Sequence, residues 1–196
     1  VLSGIESGSV TLKVVRDQQA MELTVALPGV VEVETAPTAN GFRKLALPAS
    51  PAGKITANQK VSNCPIETLA DGQLAKNYGS VFGNGIKNGA YKMDLGRVQA
   101  VAAITSWSYN HTRRRGAQKI ALYGSNTATD PGWDLTKFTP LGTIDTGTAK
   151  EDYTAASLRA VGEQTLGKFR WIVWSVSPVS AHAGGENTAY QELQVV

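Results

Sequence analysis

At 196 residues the chain can bury one substantial hydrophobic core, with room for a small appendage. Its formal net charge of +3, from 19 basic against 16 acidic residues, is too small to argue for nucleic-acid binding, and no apolar run approaches the ~20 residues that a membrane-spanning helix needs. Twenty glycines and eight prolines, with many Thr and Val, tilt the class towards short strands and tight turns.

From Val10 to Val15 apolar residues alternate with Thr11 and Lys13. After the polar break Arg16-Asp17-Gln18-Gln19, the residues Met21, Leu23, Val25 and Leu27 alternate in the same way. A period of two puts one set of side chains on one face, so this segment reads as a hairpin with one buried side. Pro28-Gly29 signals a turn, Val31-Glu32-Val33-Glu34 resumes the alternation, and residues 42–47 are a further short strand candidate. Pro48-Ala49-Ser50-Pro51-Ala52-Gly53 reads as a linker, which divides the chain into an N-terminal β segment (1–50) and a main domain (51–196). Three or four short strands bury too little surface by themselves, so the N-terminal segment is expected to pack on another layer.

In the main domain, residues 55–61 predict a first strand, and Asp71-Gly72 begins a glycine- and asparagine-rich loop that runs to Gly89. Strands follow at 91–94, 98–107, 118–123, 138–144, 153–158, 169–176 and 188–195, and no segment carries a long helical period. The expected class is therefore all-β. Cys64, the one cysteine, excludes an internal disulfide and reads as a small buried residue before Pro65. The start at Val1, without Met or a signal-like segment, carries the expectation of a processed or excised piece.

Little in the sequence points to catalysis. His111 and His182 stand in different loops, and G-x-S-x-G, H-E-x-x-H and C-x-x-C are all absent. Gly83-Asn84-Gly85-Ile86-Lys87-Asn88-Gly89 leads into a strand rather than a helix, so it lacks the aligned N–H groups of a phosphate loop. The sharpest candidate is Trp107-Ser108-Tyr109-Asn110-His111-Thr112-Arg113-Arg114-Arg115. A sugar site needs a flat ring to stack on a pyranose and forked or planar donors for its hydroxyls, and this loop holds both kinds of group. The bland alternative stays open: Trp107 as a core plug and the arginines as a solvated turn. Guanidinium groups also bind oxyanions in bidentate fashion, so an acidic or sulfated glycan is a variant of the same idea. A second loop, 180–187, carries His182 and Asn187. Trp171 and Trp174, three apart on a strand, must face opposite sides.

Three fragments stand in a fixed order: Tyr91-Lys92-Met93-Asp94-Leu95-Gly96 running into Val101 and Ile104, Lys119-Ile120-Ala121-Leu122-Tyr123-Gly124-Ser125 ending near Trp133, and Phe169-Arg170-Trp171-Ile172-Val173-Trp174 closing on Tyr190-Gln191-Glu192-Leu193-Gln194-Val195. Together they resemble the discoidin or coagulation-factor type C family over about residues 55–196. The resemblance implies an antiparallel jelly-roll β-sandwich of the galactose-binding-like kind, with the N-terminal strands as an appendage, and a binding module rather than an enzyme. In carbohydrate-binding members an arginine-bearing loop just before the K-x-x-x-Y-x-S strand contributes to the sugar site, and Arg113 and Arg114 match it. The family also holds a structural Ca2+ between an early D-G loop and the glutamate of the last strand, places matched here by Asp71 and Glu192. Backbone carbonyls near Leu69 and Gln191 could add ligands. This loop continues as Gln73-Leu74-Ala75-Lys76, where the family places a further Asp or Asn and a Thr.

The resulting expectation is a non-catalytic, lectin-like module of a secreted or cell-surface protein. Its partner would be a glycan at Trp107, Tyr109, His111, Arg113, Arg114, His182 and Asn187, and neither nucleic acid nor a membrane span is expected. The alternative is a structural, self-assembling subunit whose N-terminal strands pair with other domains or with another copy of the chain.

Overall fold

A computed structural model describes residues 9–16, 19–26, 31–37, 53–73, 80–83, 86, 88–109, 118–146, 153–161, 164–178 and 190–196. Within them the chain is built almost wholly of strands: β1 (Ser9–Arg16), β2 (Gln19–Ala26), β3 (Val31–Pro37), β4 (Lys54–Ala57), β5 (Val61–Ser62), β6 (Val81–Phe82), β7 (Gly89–Val101), β8 (Ala103–Tyr109), β9 (Gln118–Ser125), β10 (Thr139–Asp145), β11 (Tyr153–Ala160), β12 (Gly167–Pro178) and β13 (Tyr190–Val195). Among the described residues no helix is long and apolar enough to cross a membrane.

Two antiparallel sheets face each other, with strand orders β10-β9-β12-β7-β4 and β13-β8-β11-β3. Alternation decides which side chains meet between them. The five-stranded sheet contributes Tyr91, Met93, Ile120, Leu122, Ile172 and Trp174 to one buried cluster, and the four-stranded sheet contributes Ile104, Leu158, Leu193 and Val195. Ile104, Leu122, Ile172 and Leu193, the apolar positions of the matching family strands, are all at most 1% exposed. This is the antiparallel sandwich anticipated from the sequence.

The chain passes from one sheet to the other at Ala102. There β7 ends, the Ala102 carbonyl accepts the Ala160 N–H at 3.0 Å, and β8 begins at Ala103. The single strand expected over 98–107 is therefore two. The residue before the break is Val101 and the one after is Ala103, so neither Gly nor Pro marks the crossing. A second departure lies within β7: Asp94 pairs with Trp171 but Gln99 pairs with Phe169, so four residues (95–98) bulge opposite Arg170. Gly96 turns this bulge with φ +78°, a left-handed conformation that costs glycine no steric strain, and its N–H donates to Asp94 Oδ1 at 2.8 Å.

At the N-terminus β1 and β2 form the expected hairpin, in register from Ser9↔Ala26 to Arg16↔Gln19. β3 instead pairs with β11 along its whole length and becomes the outer strand of the four-stranded sheet. The strand expected at 42–47 and most of the linker at 48–53 lie outside the described residues. Cys64 is half-buried rather than buried.

Candidate functional site

The strand registers bring several connections to one end of the sandwich. Gln118, the first residue of β9, pairs with Pro178, the last of β12, and Ser108 of β8 pairs with Tyr190, the first of β13. Tyr109 also pairs with Tyr153, so the start of β11 stands there too. The strand ends flanking residues 110–117 and 179–189 are therefore neighbours. His111, Arg113, Arg114, His182 and Asn187 themselves lie outside the described residues.

Of the expected ligand contacts, the structure places Trp107 and the backbone of Tyr109. Trp107 sits between Ala155 of β11 and Glu192 of β13. Ile104 faces the core, so alternation turns Trp107 to the outer side of the four-stranded sheet, and it is absent from the core cluster. It is half-buried, and its Nε1 has no hydrogen-bond partner among the described residues.

Across from Trp107, Glu192 is 1% exposed. A short 3₁₀ helix, Ile66–Leu69, packs against β13 and β4 through the fully buried Leu69 and delivers Asp71 and Gly72 to Glu192. The Gly72 N–H donates to Glu192 Oε1 at 2.9 Å, while Oε2 is buried without a partner among the described residues. Burial pushes the Glu192 carboxyl up to about 8, against the pull of the Gly72 N–H and with a push from the Asp71 charge. Asp71 is exposed and accepts the Gln73 N–H at 2.9 Å. Among the described residues no cluster of three or more acidic, His or Cys side chains is present. An orphaned carboxylate oxygen beside a second carboxylate fits a hard cation in donor type, with the remaining oxygens left to backbone carbonyls and water.

A polar network unforeseen from the sequence covers the outer face of the five-stranded sheet. Lys92 alternates with the core residues Tyr91 and Met93, a pattern that reads as solvent-facing, yet it is 2% exposed. The connection between β9 and β10 folds over it. Lys92 Nζ pairs with Asp130, donates to the Gly132 carbonyl at 3.0 Å and lies 4.4 Å from the Trp133 ring centroid. Next to it the Arg170 guanidinium grips both oxygens of Asp94, at 2.8 and 2.9 Å, and donates to the Ala128 carbonyl. Trp171 Nε1 donates to the Thr127 carbonyl at 2.9 Å. The Arg170 fork holds the Asp94 carboxyl below its ordinary range. Burial raises that of Asp130, but Lys92 and the Gly132 N–H outweigh it and the net shift is downward. Both carboxylates are occupied by cations, so the network anchors the loop and leaves no free acid–base pair. An arginine set between Phe169 and Trp171 was the available signal for it.

Beside this network a cleft of about 240 Å³ opens between Trp133 and Leu135 on one side and Asn58, Gln59 and Asn88 on the other.

No model of a known protein family matches the sequence, and no curated protein matches it either. Solved structures do match. A chitosan-binding module from a chitosanase/glucanase of Paenibacillus sp. IK-5 superposes with a TM-score of 0.51 at 14% identity, covering 76% of this chain and 97% of that one. A family 32 carbohydrate-binding module from C. perfringens NanJ, solved with galactose, gives 0.52 at 11% identity over 75% and 97%. A fucolectin from striped bass (Morone saxatilis) serum gives 0.53 at 15% identity, over 81% of this chain and 47% of that one.

Proposed function

We propose that this chain, which has the discoidin-type, galactose-binding-like β-sandwich fold, is a non-catalytic carbohydrate-binding module of a secreted or cell-surface protein, holding a glycan on the loops at one end. The observation that carries this reading is the register: Gln118↔Pro178 and Ser108↔Tyr190 set the ends of the arginine-bearing loop beside those of the His182 loop. Trp107 and Tyr109 supply apolar rings for stacking, His111, His182 and Asn187 supply single hydrogen bonds, and Arg113 and Arg114 supply forked donors. The two guanidinium groups favour an acidic or sulfated glycan over a neutral one at this place. Solved neighbours of the same fold that bind chitosan and galactose support the class of ligand.

In the same reading Asp71 and Glu192 hold a structural Ca2+, whose charge would compensate the buried Glu192 carboxylate and tie the 3₁₀ segment to the last strand. A glycan array that includes sulfated and uronic-acid chains tests the main claim. Binding by the intact chain that is lost in Arg113→Ala/Arg114→Ala supports it, and a blank array for the intact chain removes it.

A second reading, a self-assembling subunit built on the same fold, draws on one observation. β1 and β2 form a two-stranded sheet of their own, a unit with marginal stability in water. If another copy covers that ribbon, light scattering should show a concentration-dependent oligomer for the intact chain and a monomer after deletion of residues 1–28. A monomer in both cases would end this reading.

A further inference from the structure

The cleft beside Trp133 belongs neither to the arginine-bearing loop nor to the Asp71–Glu192 pair. Its existence follows from side-chain size. On the outer face of β12 and β7 the large residues Trp171 and Lys92 are covered by the β9–β10 connection, but the next positions towards the loop end are Ser175 and Ala90, which pair with one another. Small side chains there leave a floor that Trp133 and Leu135 only partly roof.

The wall opposite is made of amides. Asn58 Oδ1 accepts the Ala90 N–H at 2.7 Å, and the Asn58 N–H donates to the Ala90 carbonyl at 3.0 Å. This pair of hydrogen bonds to the start of β7 fixes the amide and leaves Nδ2 as an oriented donor. Gln59 lies with its stem against Gly89, where an added Cβ would come within 2.8 Å of Gln59 Cγ and 2.5 Å of the Phe82 ring. Gln59, Asn88 and the Ser175 hydroxyl make no side-chain hydrogen bond with the described residues. Among the described residues no ionisable side chain lines the cleft.

We propose that this cleft is a subsite for one ring of a neutral sugar, seated between Trp133 and Leu135 on one side and the amides of Asn58, Gln59 and Asn88 on the other, above Ser175. The proposal rests on the carbohydrate-binding reading and extends it to a place that the sequence did not suggest. Amides donate and accept at once, as vicinal hydroxyls require, and a wholly apolar solute would leave them unpaired. Among the described residues the lining is amide, hydroxyl and apolar, which suits an uncharged ring with hydroxyl groups. The volume falls below the roughly 300–1,000 Å³ of pockets that enclose drug-sized ligands, which suits one ring. Ser175 stands three residues before Pro178, roughly 10 Å along β12 at about 3.3 Å per residue. One oligosaccharide could therefore engage both the cleft and the loop end.

The test is a titration of 15N-tryptophan-labelled protein with methyl β-D-galactopyranoside and methyl β-D-glucopyranoside, following the indole N–H signals. The Trp133 signal should shift and saturate with at least one glycoside. Gln59→Ala/Asn88→Ala, at two exposed positions, should weaken that response about tenfold or more for two lost hydrogen bonds. Ser175→Leu should abolish it by filling the floor, and Arg113→Ala/Arg114→Ala should leave it unchanged. A silent Trp133 signal overturns the subsite, and so does a response that survives both cleft variants. If array glycans bind the intact chain while Trp133 stays silent, only the subsite falls. If Trp133 responds while the array response survives loss of both arginines, only the loop assignment falls.

Discussion

Trp174 and Trp171 stand three residues apart on β12 and face opposite sides of the same sheet. Trp174 is fully buried among the apolar side chains of the sandwich core. Trp171 is 6% exposed and packs in a smaller apolar cluster with Ala90, Phe138 and Val173, but it also meets Lys92, Arg170 and the Thr127 carbonyl. The inner face is held by apolar area removed from water and by close packing, with no need for a specific polar partner. The outer face is held by groups that are costly to bury unless each keeps its partner. Equal burial thus hides two kinds of dependence.

The largest effects should come from the inner face. Trp174→Ala is expected to cost about 3–5 kcal/mol, and Ile104→Ala or Leu122→Ala about 2–5 kcal/mol, in urea unfolding. Tolerance of all three would remove the core from the account. The outer face should respond asymmetrically. Asp130→Ala strands the buried Lys92 ammonium and should cost about 1–3 kcal/mol, less than for a fully buried pair because the Asp130 side chain is 56% exposed and solvent screens it. Lys92→Met removes the charge but keeps the stem between the two rings, and should stay within about 1 kcal/mol of the parent. Equal losses in the two variants would mean that packing rather than charge governs this face.

The Asp71–Glu192 pair gives a smaller, pH-dependent effect. The folded-state Glu192 carboxyl is raised from its ordinary 4.5 to about 8, so the native state retains a proton that the unfolded chain releases. In the presence of chelator, stability from this group is complete below about pH 4.5 and is lost as the pH rises through about 8. The melting temperature should then fall by on the order of 5 °C over that window, and Ca2+ should restore it at the alkaline end. A melting temperature indifferent to both chelator and Ca2+ at pH 8 would show that no ion is held there. Arg113→Ala/Arg114→Ala should move the melting temperature least, by less than about 1 °C, while removing glycan binding at the loop end.

The inner face was legible because the family resemblance picked out the core strands, and Ile104, Leu122, Ile172 and Leu193 are their apolar members. The outer face was not. Lys92 occupies an alternating polar position and would be solvated if the β9–β10 connection did not fold across it, and that connection is held by Arg170 and Trp171 through Ala128 and Thr127, which lie 42 and 44 residues away from them. β3 was legible as a strand but its partner β11 was not, since backbone pairing leaves no local mark. Asp71 and Glu192 were matched through the family resemblance, although Gly72, the neighbour of Asp71 that bonds Glu192, is 120 residues from it. The cleft escaped notice because it is made by small residues, Ala90 and Ser175, whose effect is what they fail to fill.

The most direct measurement is hydrogen exchange by mass spectrometry on the intact chain, free and saturated with the strongest array ligand. The account predicts protection in peptides that contain the strand ends at Ser108, Gln118 and Tyr190, with Ala102, Ala160 and Val196 at the far end unchanged. Protection confined to the far end, with none around Ser108, Gln118 and Tyr190, would contradict a glycan site on the loop end of this sandwich.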